Sequence, residues 1–221
     1  MKTLLLPGLG ADATMYPSRD YANLYRLTIA EWPVYNGEET LAAVARRVID
    51  EHGIGREMVV GGASLGGMVA LEIAKIAGNG TVILIGSATS PSEVNPVLQK
   101  LSHLADYTPI RMFQALAGKI NEHHGSDLLA MFERADSRFV TAMCRAIFDW
   151  EGRAAYRGTV CRIHGQKDKV ILPPKDDGEL ITDGGHLISM THAPLVAAFV
   201  ERCRAAASEA SGCGPCPVDV S

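Results

Sequence analysis

Six short apolar runs, most of them separated by stretches of helical periodicity, set the strongest limit on how this chain can fold. They read KTLLL (2–6), YRLTIAE (25–31), MVVGG (58–62), TVILIG (81–86), TVCRIHG (159–165) and ELITDG (179–184). Runs that are apolar on both sides suit strands covered on both faces, which is the habit of a mostly parallel sheet. Between them Leu41, Val44, Val48 and Ile49 recur at helical spacing from Glu38 to Glu51, and Gly53 follows as a stop. Met68 to Ala77 reads as an apolar helix, and a last helix is expected over 188–207. The expected fold is α/β: a mostly parallel sheet of about six strands with helices on both faces.

The alternation lapses between 92 and 150. That stretch holds no strand-like run, but it does hold helix-like pieces such as RMFQALAGKI and SRFVTAMCRAIFDW. The economical organisation is a core formed by 1–91 and 151–207, a helical insertion over 92–150, and a disordered Ala/Ser/Gly-rich tail over 208–221. A chain of 221 residues suits one such domain.

Charge and cysteine usage remove several function classes. The formal charge is −4 and no basic run occurs, so nothing favours nucleic-acid binding. No stretch approaches the ~18 apolar residues of a membrane span, and the three leucines before Pro7 are too few for a signal-peptide core. The five cysteines are odd in number and scattered, which suits reduced thiols and a cytoplasmic protein. Cys213 and Cys216 form a C-x-x-C, but without a second ligand pair or a strand–helix context they read as part of the tail. No metal or other cofactor is expected, and a homodimer is left open.

Chemistry concentrates around GGASLGG (61–67), which follows the third strand and precedes a helix. Gly62-Ala63-Ser64-Leu65-Gly66 fits G-x-S-x-G, in which a sharp turn exposes a serine hydroxyl at the end of a strand. A neutral serine is a poor nucleophile and needs a base and a group to orient that base. His186 follows Asp183-Gly184-Gly185 just past the sixth strand and is the preferred base, ahead of His124 and His192. Asp168, in HGQKD after the fifth strand, is the preferred acid, with Asp176, Asp177 and Asp183 as competitors. The order Ser64, Asp168, His186, each after a strand, is the order this topology requires. Acyl chemistry also needs two N–H donors for an oxyanion. Leu65 offers one, and Leu9, in the Gly-rich PGLGAD loop after the first strand, is nominated for the other.

With PGLGAD (7–12), GGASLGGMVALE (61–72), IHGQKD (163–168) and DGGHL (183–187) in this order, the chain resembles the α/β-hydrolase superfamily over nearly its whole length. The resemblance implies a serine hydrolase with Ser64, Asp168 and His186 as a triad, Leu9 and Leu65 as oxyanion donors, and 92–150 as a helical cap. Two departures stand out. Many relatives carry His-Gly where this chain has Pro7-Gly8, which removes a side chain that helps fix the loop. Relatives usually begin with an antiparallel hairpin, which is absent here. The substrate expected is a small to medium uncharged ester, with thioesters and lactones in range. Met112, Phe113, Leu116, Phe132 and Met143 are pocket candidates.

Two rival readings remain. Acyltransferases, lyases and ligand receptors use the same scaffold. Gly8-Leu9-Gly10-Ala11-Asp12-Ala13 also fits the looser dinucleotide pattern G-x-G-x-x-A, with Glu31 as ribose acid, which would make the chain a nicotinamide-dependent oxidoreductase. That pattern demands a continuous helix from residue 10, and Pro17 interrupts it.

Overall fold

A computed structural model describes residues 1–97, 130–175, 177–210 and 212. Six strands form one sheet: β1 (Thr3–Leu6), β2 (Leu27–Ile29), β3 (Val59–Ala63), β4 (Thr81–Ile85), β5 (Thr159–Gly165) and β6 (Glu179–Ile181). Their order is β2-β1-β3-β4-β5-β6 and every neighbouring pair is parallel. The helices are α1 (Ser18–Tyr21), α2 (Leu41–His52), α3 (Leu65–Ala77), α4 (Ser137–Ala146), α5 (Ile188–Thr191) and α6 (Ala193–Ala210). Residues 130–134 are helical as well. The first strand pairs in parallel on both sides, with β2 and β3.

Strand periodicity divides the core into two. Leu4, Leu6, Val60, Val82 and Leu84 face a cluster with α2, α3 and α4. Their neighbours Leu5, Val59, Ile83 and Ile85 face the other side, where Tyr21, Ile188, Val196, Phe199 and Val200 cover them. Successive side chains of a strand point to opposite faces, so runs apolar at every position require this double cover.

Several boundaries differ from the sequence reading, each for a local reason. Helix α2 starts at Leu41 because Thr40 caps it, its hydroxyl accepting from Ala43 N at 3.1 Å. Helix α3 starts at Leu65, directly after Ser64, rather than at Met68. The last helix is two helices. Pro194 has no N–H to return to Met190 and its ring crowds that carbonyl, so the backbone breaks at His192 (φ −128°, ψ 34°) before α6 begins. Strand β6 stops at Ile181, and α6 runs on to Ala210, so Ser208–Ala210 are helical where a tail was expected.

Of the expected insertion, residues 98–129 lie outside the described residues, but both its flanks are fastened to the core. On entry, Glu93 pairs with the buried Arg162 at 2.7 Å, and Asn95 N donates to Val170 O at 2.9 Å. On exit, Trp150 Nε1 donates to the buried carboxylate of Glu72 at 2.6 Å. Lys75 holds the same oxygen at 2.6 Å and also reaches Gly152 O at 3.2 Å. Arg153 N donates to Thr89 O at 2.8 Å, which brings the two flanks together.

The Trp150–Glu72 bond joins a neutral donor to a buried charge, a class of hydrogen bond stronger than the neutral kind. Trp150→Phe is expected to lower the unfolding free energy by about 1.5–3 kcal/mol. Urea unfolding should report it as a lower midpoint with an unchanged slope.

Candidate active site

Ser64 stands between β3 and α3 at φ 51° and ψ −120°, a left-handed conformation that few residues with a Cβ adopt. The turn is locked from below: Ser64 N donates to Ile85 O at 3.0 Å, and Ser87 Oγ donates to Ser64 O at 2.6 Å. Its flanking glycines are required by close approach. A Cβ on Gly62 would lie 2.7 Å from Leu6 O, and one on Gly66 would meet the carbonyls of Leu6 and Pro7. The first turn of α3 therefore rests on the end of β1, and its N-terminus points to the loop that follows β1.

Strands β5 and β6 bring the partners. His186 Nε2 lies 3.0 Å from Ser64 Oγ, and His186 Nδ1 lies 2.8 Å from Asp168 Oδ2. All three residues are buried. Nδ1 must carry the proton it gives to the carboxylate, which leaves Nε2 as an acceptor for the serine hydroxyl. Asp168 Oδ1 accepts from Val170 N at 2.8 Å and Ile171 N at 3.1 Å. Burial works to raise the Asp168 carboxyl. It is outweighed by the charge of His186 and by hydrogen bonds from His164 and His186, so the acid stays well below the usual carboxylate range.

His164 is a contact that sequence reasoning missed. Its Nε2 lies 3.1 Å from the same Asp168 oxygen and 3.0 Å from Ile171 O, and its Nδ1 is buried without a partner among the described residues. Both neighbours of Nε2 are acceptors, so Nε2 carries the proton and the ring braces Asp168 through the oxygen that also meets His186. Its place at the end of the fifth apolar run marks a structural role, without naming Asp168 as the partner.

The competing candidates are engaged elsewhere. His192 pairs with Asp183 at 3.3 Å, and Asp177 pairs with Arg162 at 3.1 Å. His124 and Asp176 lie outside the described residues, as do Met112, Phe113 and Leu116. Phe132 is buried with its ring over Gly10, where an added Cβ would collide with it. Met143, expected in the pocket, is fully buried in the core cluster of α2, α3 and α4. It is a core residue because the amphipathic face of α4 carries it inward.

The loop after β1 passes beside the serine: a Cβ on Gly8 would lie 3.7 Å from Ser64 Cβ. Among the described residues, four hydrogen bonds hold Leu6 and Gly8 of this loop. Tyr16 Oη donates to Leu6 O at 2.8 Å, and Gly8 N donates to Met15 Sδ at 2.9 Å. Gly8 O accepts from Trp32 Nε1 at 3.0 Å and from Ala11 N at 3.2 Å. Neither Leu9 N nor Leu65 N donates to an acceptor among the described residues. Asp12 and Arg134 form an ion pair (Nε to Oδ2, 3.0 Å) in the lining of a cleft of about 270 Å³, together with Gly10, Glu31, Trp32, Tyr35, Met131, Asp136 and Phe139.

The dinucleotide reading fails at the same loop. No continuous helix begins near residue 10: Ala13–Met15 make one turn of 3-10 helix, and Tyr16 leaves it extended. Glu31, the acid that reading assigned to a ribose, accepts from Ala13 N of this loop at 3.3 Å. Among the described residues no cluster of three His, Cys, Asp or Glu side chains could hold a metal, and no helix is long and apolar enough to cross a membrane. Cys144, Cys161 and Cys203 are free thiols, and burial pushes Cys144 up to about 11, which disfavours it as a nucleophile.

A parallel sheet with a strained serine turn, and with an acid and a histidine on the following strand ends, defines a hydrolase-type scaffold. The model of the alpha/beta hydrolase family matches residues 3–216, and the chain belongs to that family. No curated protein matches it by sequence. Among solved structures it is similar to a thermophilic esterase from Thermogutta terrifontis, with 18% identity, TM-score 0.72, and coverage of 94% of this chain and 90% of that one. An enol-lactonase from Burkholderia xenovorans LB400 aligns at 18% identity and TM-score 0.68, covering 92% and 91%. A 1H-3-hydroxy-4-oxoquinoline 2,4-dioxygenase aligns at 17% identity and TM-score 0.69, covering 91% and 90%. At such identities the likeness speaks for the fold alone.

Two measurements probe the site without a substrate. Ser64→Gly and Ser64→Ala lose the same hydroxyl, but only glycine relieves the left-handed strain, so the Gly variant should be more stable by about 1 kcal/mol. Asp168 titrates lower folded than unfolded, so its stabilisation is full above the unfolded pKa and fades as pH falls. The stability advantage of wild type over Asp168→Asn should therefore shrink below about pH 4. Chemical denaturation across pH reads both.

Proposed function

We propose that the chain is a serine hydrolase that cleaves a small to medium, uncharged ester through an acyl-enzyme on Ser64, with thioesters and lactones within its range. The observation that carries this reading is the unbroken path from Ser64 Oγ through His186 to Asp168, at 3.0 and 2.8 Å. The similar fold of an esterase and an enol-lactonase agrees with it. The dioxygenase on the same fold shows why the scaffold by itself cannot choose the reaction.

In this mechanism Ser64 Oγ attacks the acyl carbonyl while His186 Nε2 takes its proton. Asp168 keeps the His186 tautomer and stabilises the imidazolium, and His164 keeps Asp168 from turning. The negative charge on the former carbonyl oxygen is met by the N–H groups of Leu65 and Leu9. The leaving alcohol takes the proton from His186. Water then enters by the same steps in reverse and frees the acid.

A panel of p-nitrophenyl esters from acetate to octanoate tests the reading. Wild type should turn over at least the shorter members, and Ser64→Ala should lose more than about 10⁴-fold in kcat/KM. A fluorophosphonate probe should label wild type at Ser64 and leave the variant unlabelled. Full activity in Ser64→Ala, or no turnover by wild type, would sink the proposal.

A further inference from the structure

We propose that Trp32 is a positioning residue that sets the direction of the Leu9 N–H, and through it the charge-stabilising power of the site; the inference rests on the hydrolase reading above. The argument begins with one rigid unit. The Gly8 carbonyl and the Leu9 N–H belong to the same planar peptide, and no peptide among the described residues is cis. In a trans peptide the two groups point in opposite directions, so fixing one aims the other.

Two donors hold the Gly8 carbonyl: Ala11 N at 3.2 Å and Trp32 Nε1 at 3.0 Å. Ala11 belongs to the same loop. Among the described residues Trp32 is the donor from outside it, and its bond ties the peptide to the segment that follows β2. The register explains how it gets there. Leu5 pairs with Ile29 and Ala30 N donates to Leu5 O at 2.9 Å, so the residues just past β2 lie beside the loop that follows β1. The indole is itself fixed from the other side by Phe139 of α4, with ring centroids 5.2 Å apart and planes at 46°.

Pro7 makes this anchor necessary. The resemblance implies that many relatives steady this loop with a histidine at that position, whereas Pro7 offers neither a polar side chain nor an N–H. Here the steadying group comes from the next strand. The remaining contacts hold Leu6 O and Gly8 N, which belong to other peptide units and do not hydrogen-bond the Gly8–Leu9 peptide itself.

The decisive variants separate the indole N–H from the indole shape. Trp32→Phe keeps an aromatic ring against Phe139. Site-specific 3-benzothienylalanine at 32 keeps the bicycle and replaces N–H by sulfur, and 5-fluorotryptophan at 32 retains the donor. With an aryl ester the first two should lose about 10- to 100-fold in kcat, less than deleting an oxyanion donor outright, with KM within about twofold. The 5-fluorotryptophan protein should match wild type. In the Ser64 adduct of a ¹³C-labelled trifluoromethyl ketone, the hemiketal hydroxyl should titrate about one unit or more higher in the benzothienyl protein, the counterpart of a tenfold loss. A merely structural role would lower the thermal midpoint without moving that titration. Wild-type kcat in the benzothienyl protein, or a loss carried wholly by KM, overturns the role of Trp32 while leaving the hydrolase reading intact. Absence of both turnover and ketone adduct in wild type overturns the hydrolase reading and this inference with it.

Discussion

The tight approach of the β3–α3 turn to the end of β1 is the constraint on which the rest of the site depends. Gly62 and Gly66 let two backbones meet at distances no Cβ would allow, and Ser64 absorbs the curvature in a left-handed conformation. Because that turn is held by Ile85 O on β4 and by Ser87 beyond it, the serine inherits the rigidity of the sheet. The histidine and the aspartate come from strand ends on one side, and the loop of Leu9 from a strand end on the other. A parallel sheet puts all its carboxyl ends on one edge, so residues 9 to 186 can meet in one place.

Legibility in the sequence followed the range of the interactions involved. Apolar runs reported the central strands because burial on both faces leaves them few polar positions, whereas the edge strands β2 and β6 keep exposed Thr28 and Glu179. Ser64, Asp168 and His186 were readable because each sits directly after such a run, in an order the topology constrains. Trp32, Met15, Tyr16 and His164 were not readable in the same way. Their roles depend on register and on carbonyl directions, which no local pattern encodes; a tryptophan after a strand is ordinarily packing. The break at Pro194 follows from the missing N–H, and helical periodicity alone runs straight across it.

The insertion and the loop beside the serine are mechanically joined. Phe132 lies over Gly10, Arg134 pairs with Asp12, and Phe139 backs the Trp32 indole. Residues 130–139 thus press on the loop at three points, while Glu93 and Trp150 fix the segment's flanks. The cleft and the loop beside the serine share side chains, so substitutions in one will be felt in the other.

The sheet order has a consequence for biosynthesis. The first four strands to be made, β1 to β4, already lie side by side, and β4 (TVILI) forms their open margin. Its neighbour β5 begins only at Thr159, beyond the insertion. At ordinary ribosomal speed a bare, uncharged strand edge therefore waits on the order of ten seconds for its partner. During that interval the unpaired edge is open to pairing with a strand of a neighbouring chain.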